Sequence, residues 1–144
     1  MFGLEIRDQS LVAVAIDEGG RIQARADVPA TDVGAALDAL ERVAGASDPP
    51  IVGIAAARPE SAAVRSVLEA LKTRYAGGPA GQQVVMAGTA AAVAEAWVGA
   101  ASGMSDVAHL AVADHTSAGM VRGGAALTGA HGRAASVAWL ALNP

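Results

Sequence analysis

The hydrophobic period of this chain changes between Val28 and Val33, and that change limits its fold more than any other feature. Before it, Ile22, Ala24, Ala26 and Val28 alternate with Arg21, Gln23, Arg25 and Asp27. A period of two belongs to a half-buried strand. Leu4 and Ile6 alternate with polar neighbours in the same way, and Leu11 to Ile16 is apolar throughout. Asp17-Glu18-Gly19-Gly20 separates the last two runs, and glycine supplies the positive φ that hairpin turns need. Arg7-Asp8-Gln9-Ser10 is polar and short enough for a second hairpin. The opening therefore predicts an antiparallel meander of three strands.

After the change, Val33, Ala36, Leu37, Leu40 and Val43 share one helical face. Thr31 or Asp32 can cap this helix, and Gly45 can end it. Residues 51–57 read as a buried strand, apolar without alternation as central parallel strands are. A second helix follows, with Pro59 in its first turn and Val64, Val67, Leu68, Leu71 and Tyr75 on its apolar face. Gly77 and Gly78 stop it. Residues 82–87 give a fifth strand. A third helix then starts with Thr89 as its cap and buries Val93, Ala96, Trp97 and Ala100. Strand–helix alternation implies parallel strands with right-handed crossovers. The expected class is α/β, a ribonuclease-H-like lobe in β-β-β-α-β-α-β-α order with a mixed five-stranded sheet and flanking helices. Two more strands, 107–114 and 117–127, meet at Asp114-His115-Thr116 and form a C-terminal hairpin with a short tail. The domain reading is a first lobe over 1–105 and a remnant of a second over 106–144, packed on the first lobe or on a partner.

Composition narrows the function classes. Hydrophobic residues make up 53% of the chain but aromatics only 3%, so the core is tight and built from small side chains. A net charge of -4 with no basic patch excludes nucleic acid as the expected partner. With 0 cysteines there is no disulfide, thiolate metal site or cysteine nucleophile. No apolar run reaches the roughly 18 residues of a membrane span. Acid and base within the first eight residues argue against a secretion signal. The expectation is a cytoplasmic protein with no membrane partner.

Several stretches, in order, resemble the ROK family of sugar kinases and repressors. Residues 2–30, FGLEIRDQSLVAVAIDEGGRIQARADVPA, are similar to that family's opening strand, phosphate loop, hairpin and third strand. VGIAAARP is similar to its GIGVAAPG strand and turn. From Thr89 onward, the helix ending AEAW, the GA…G.SD pattern, GMV..G and L..GAHG.A match the family's longest signature. The resemblance implies the actin-like ATPase fold shared with Hsp70 and hexokinase. It would also imply ATP-dependent phosphorylation of a hexose, were the chemical residues present.

The departures fall on that chemistry. The family's D-x-G-G-T loop brings backbone amides to the ATP phosphates, and its Asp organises the metal. Here Glu5, Ile6, Arg7, Asp8 and Gln9 align with it. The catalytic Asp of N-D-A-N aligns with Ala87, which accepts no proton, and general-base catalysis supplies about 10²–10⁴-fold in such reactions. G-T-G-x-G-G-G becomes Ala113, Asp114, His115, Thr116, Ser117, Ala118 and Gly119. The sugar-binding E-x-G-H becomes Ser136, Val137, Ala138 and Trp139.

Plainer structural readings stand beside these. Asp114, His115 and Ser117 are triad residue types, but real triads are assembled from distant segments, and a polar turn accounts for the stretch better. His109, His115 and His131 lack ligand spacing, so no metal is expected. Glu5, Arg7 and Asp8 read as a solvated strand end with an Arg–Asp pair rather than a new pocket. Trp97 reads as core, and Trp139 packs on the sheet or in an interface. The expected function is a catalytically inactive, sugar-kinase-like binding or scaffold module with no catalytic residue and no cofactor. Its expected partner is a second copy or another protein, through Trp139, Leu140 and Leu142. Degenerate ligand positions are Glu5, Arg7, Asp8, Gln9, Asp114, His115, Thr116 and Ser136. The alternative is a ROK-type hexose kinase, or a fragment of one completed by another chain.

Overall fold

The structure is a computed structural model that describes residues 1–45, 52–75, 83–112, 116–134 and 137. It divides into two compact units, Met1–Val84 and Val85–Pro144. The expected element order holds: β1 (Phe2–Ile6), β2 (Ser10–Ile16), β3 (Ile22–Pro29), α1 (Val33–Ala44), β4 (Val52–Ala56), α2 (Ala62–Arg74), β5 (Gln83–Met86) and α3 (Ala87–Trp97). The mixed sheet has the order β3-β2-β1-β4-β5. β1 runs antiparallel to β2 and parallel to β4, and β2 runs antiparallel to β3.

Register explains the core. Val28, Leu11, Ile6 and Ala56 form one row across the sheet, and Ala26, Ala13, Leu4 and Ile54 the next. Because side chains alternate between faces along each strand, both rows present one apolar face. Onto it pack Ala36, Leu37, Ala39 and Leu40 of α1 and Val64, Val67 and Leu71 of α2. The alanines in the rows leave room for the helices, so few aromatics are needed. The β2–β3 hairpin is built on Asp17. Its carboxylate accepts from the Arg21 amide at 2.9 Å and from Gln23 Nε2 at 2.8 Å, and Gly20 turns at φ 79. The helix caps fall mostly as the sequence predicts. Asp32 accepts from the Ala35 amide at 2.7 Å, and Gly45 closes α1 at φ 69.

Pro59 does not sit in the first turn of α2. It occupies the second position of a turn closed by the Ser61 amide on the Arg58 carbonyl at 3.0 Å, a place that favours its fixed φ. Ser61 then caps the helix, its hydroxyl accepting from the Val64 amide at 3.3 Å. The expected stop at Gly77 and Gly78 lies outside the described residues.

In the second unit, α3 packs on a three-stranded sheet of β6 (Val107–Ala111), β7 (Ser117–Arg122) and β8 (Ala125–Ala126). Residues 117–127 are thus two strands rather than one. Gly123 and Gly124 turn between them at φ 58 and 77, as a two-residue hairpin requires. Thr89 is not the cap of α3. The chain passes from β5 into the helix at Met86, which makes no side-chain cap bond, and Thr89 is buried within the first turn. The buried face is Gly88, Thr89 and Ala92, while Val93 and Trp97 are 40% and 41% exposed. Backbone proximity decides this. A Cβ on Gly88 would strike the Ala118 carbonyl, and one on Gly119 the Gly88 carbonyl. Helix and strand meet so closely that only the smallest residues fit the contact.

Candidate functional site

β1 and β4 are parallel neighbours, with Ile6 opposite Ala56. Their carboxyl ends therefore open at the same sheet edge, where open α/β sheets bind ligands. Three connections meet there: the β1–β2 turn, the link from β3 to α1, and the β4–α2 turn. They enclose a cleft of about 240 Å³ lined by Ile6, Arg7, Asp8, Ala30, Thr31, Ala56, Ala57, Arg58, Ser61 and Ala63.

The β1–β2 turn is a closed hairpin. The Arg7 amide donates to the Ser10 carbonyl at 2.9 Å, and the Ala30 amide donates to the Gln9 carbonyl at 3.0 Å. Arg7 Nη2 bonds Glu5 Oε2 at 2.6 Å. That hydrogen bond, with the nearby carboxylate charge, holds the Arg7 guanidinium protonated more firmly than usual. Asp8 Oδ1 lies 3.2 Å from Arg58 Nη2. The expected Arg–Asp pair at this strand end is therefore two pairs, Arg7 with Glu5 and Arg58 with Asp8.

The structure brings Arg7 and Asp8 into one cleft and leaves Glu5 and Gln9 out of its lining. Ala87 is the first residue of α3, in the second unit. Thr116 is half-buried just before β7. Asp114, His115, Ser136, Trp139, Leu140 and Leu142 lie outside the described residues. Sequence reasoning missed Arg58, Thr31 and Ser61. Arg58 had left a signal, because the similar GIGVAAPG string contains no arginine.

A magnesium–nucleotide does not fit these residues. The first phosphate loop needs glycines for close backbone approach and a carboxylate available to the metal shell. Here Arg7, Asp8 and Gln9 carry side chains, and the Glu5 carboxylate is engaged by Arg7. Among the described residues, no group of three or more His, Asp or Glu side chains is placed to hold a metal ion. No described helix is long and apolar enough to cross a membrane.

Residues that do match the ROK signature make structural contacts. Glu95, of the AEAW string, accepts from the Ala100 amide at 2.9 Å and folds the turn after α3. Gly99 lies so close to Glu95 that a Cβ would clash. Asp106 accepts from the Gly123 amide at 3.0 Å, which ties the β7–β8 turn to the start of β6. Gly119, the one glycine kept from the second phosphate loop, is the residue against which Gly88 packs.

No protein-family model matches the chain, and no curated protein matches it. Solved structures do. The ROK hexokinase from Thermus thermophilus is 25% identical with a TM-score of 0.75, over 94% of this chain and 50% of its own. A ROK family glucokinase from Streptomyces griseus, solved with glucose and AMPPNP, is 24% identical with a TM-score of 0.73, over 94% and 48%. The inorganic polyphosphate/ATP-glucomannokinase from Arthrobacter sp. strain KM has 19% identity and a TM-score of 0.62, over 88% and 60%. The chain spans about half the length of the first two. The chain has the fold of these ROK sugar kinases.

Proposed function

We propose that the chain is a cytoplasmic binding module on the sugar-kinase fold that does not transfer phosphate. The observation that carries this reading is the Glu5–Arg7 bond of 2.6 Å in the place of the glycine loop. Phosphoryl transfer is almost entirely positioning and charge stabilisation. A loop that spends its carboxylate on its own arginine supplies neither to a nucleotide. Ala87 in place of the base, and His115, Ser117 and Ala118 in place of phosphate-loop glycines, support the same reading.

The binding surface we assign is the open face of the second unit's sheet. Val107, His109 and Ala111 of β6 alternate with Ala108 and Leu110, and cross-strand register sets Met120 beside Ala108. Leu110 is 62% exposed, Val112 74% and Met120 40%. Contiguous exposed apolar surface of this kind marks interaction sites, and a second copy would cover it through a two-fold contact. Light scattering is the test. The reading expects twice the mass of one chain, falling to a single mass in Leu110→Asp. A monomer in the unsubstituted protein, with no partner retained, contradicts it.

A further inference from the structure

We propose that the cleft at the carboxyl ends of β1 and β4 binds the carboxylate of a small polar molecule, with Arg58 as the anion contact. The proposal goes beyond the binding reading above, because it concerns a different site, in the first unit. Size comes first. About 240 Å³ lies under the roughly 300–1,000 Å³ of typical ligand pockets, so the occupant is small, on the scale of a sugar acid.

Charge comes next. The lining holds two cations, Arg7 and Arg58, and one anion, Asp8, and with the Glu5 carboxylate on Arg7 the four charges sum to zero. Glu5 holds Arg7 from outside the lining. A singly charged carboxylate that takes the place of Asp8 on Arg58 adds one charge to that balance, whereas a phosphate monoester adds about -1.5 to -2 at neutral pH. The Arg58–Asp8 pair is open to exchange. Its side chains are 74% and 51% exposed, and exposed pairs are worth about 0–1 kcal/mol, so an incoming carboxylate can compete with Asp8. A guanidinium presents a fork of N–H donors that suits a carboxylate, and the Asp8 contact uses one oxygen on Nη2.

The rest of the lining suits a hydroxylated body. Ser61 Oγ accepts from the Val64 amide, which leaves its own proton to donate. Thr31 adds a second hydroxyl from the other wall. Arg58, Thr31 and Ser61 come from two different connections, so the cleft depends on the fold and not on one loop.

The experiment is an amide-resolved NMR titration of the full chain with gluconate, glucose and inorganic phosphate. Gluconate shifts the amides of Arg7, Asp8, Arg58 and Ser61 and saturates in the millimolar range, on the order of 1–10 mM. Glucose, the neutral counterpart, does not. Arg58→Ala weakens gluconate binding by about tenfold or more, because the fork is lost. Arg25→Ala, an exposed arginine outside the cleft, leaves it unchanged. Equal binding of glucose, tighter binding of phosphate, no shifts with gluconate, or an unaffected Arg58→Ala protein each overturns the proposal. A hexose-phosphorylation assay on the same sample separates the failures: turnover sinks the binding-module reading, whereas missing gluconate shifts sink this inference alone.

Discussion

Two glycines show what this chain has kept and what it has changed. Gly119 aligns with the last glycine of the second phosphate loop in the resembling family, and its structural partner is the backbone of Gly88. Its place is explained by packing. Arg7, Asp8 and Ala87, whose positions serve chemistry in the resembling kinases, carry different side chains. Substituting Gly88→Ala or Gly119→Ala forces a methyl group into a carbonyl across the α3–β7 contact. Overpacking of this kind costs about 1–3 kcal/mol, occasionally more. Urea unfolding of each variant should show that loss, whereas Gly53→Ala, whose Cβ meets nothing within 4 Å, should lose less.

Among the elements, legibility followed periodicity. β1 to β3 and the faces of α1 and α2 could be read because strong apolar side chains repeat at the period of each element. α3 could not. Its alanines carry no contrast between faces, and the larger Val93 and Trp97 drew the expected face toward themselves. The packing partner is a backbone, so the smallest residues went inward, a choice no hydrophobic pattern records. Pro59 misled for a related reason, since both a first helical turn and the second position of a β-turn suit its φ. The cleft needed the β1–β4 register, which places Arg58 beside Asp8 across 50 residues of sequence.

Between α1 and α2, Arg74 bonds Asp38 Oδ1 at 2.6 Å and Glu41 Oε1 at 2.8 Å, and Tyr75 donates to Glu41 at 3.4 Å. The Arg74 hydrogen bond holds the Glu41 carboxyl below its ordinary range. A depressed carboxyl contributes stability above its unfolded value and loses it as pH falls through the folded one. Burial, followed by the Glu41 charge, raises Tyr75. Its contribution is present below its unfolded value and lost as pH climbs through the raised one. Thermal melts across acid pH should therefore fall more steeply for the unsubstituted chain than for Arg74→Ala. At neutral pH the variant should melt lower. Parallel acid slopes would show that this network carries no pH-linked stability.

At the scale of the whole molecule, two compact units carry different content. The first holds the apolar core and the cleft. The second holds a three-stranded sheet with α3 on one face and Leu110 and Met120 exposed on the other. The five strands and three helices of the mixed sheet and its flanks were legible in the sequence as a fold class. The meaning of the site was not, because it depends on which acid each arginine takes. Glu5 is bound to Arg7 within the β1–β2 turn, and Asp8 is bound to Arg58 from the β4–α2 turn. The most direct test is a coupled assay of ATP-dependent phosphorylation across a panel of hexoses, with magnesium present. The account predicts no turnover above the rate without protein. Sustained turnover that Glu5→Gln abolishes would contradict it.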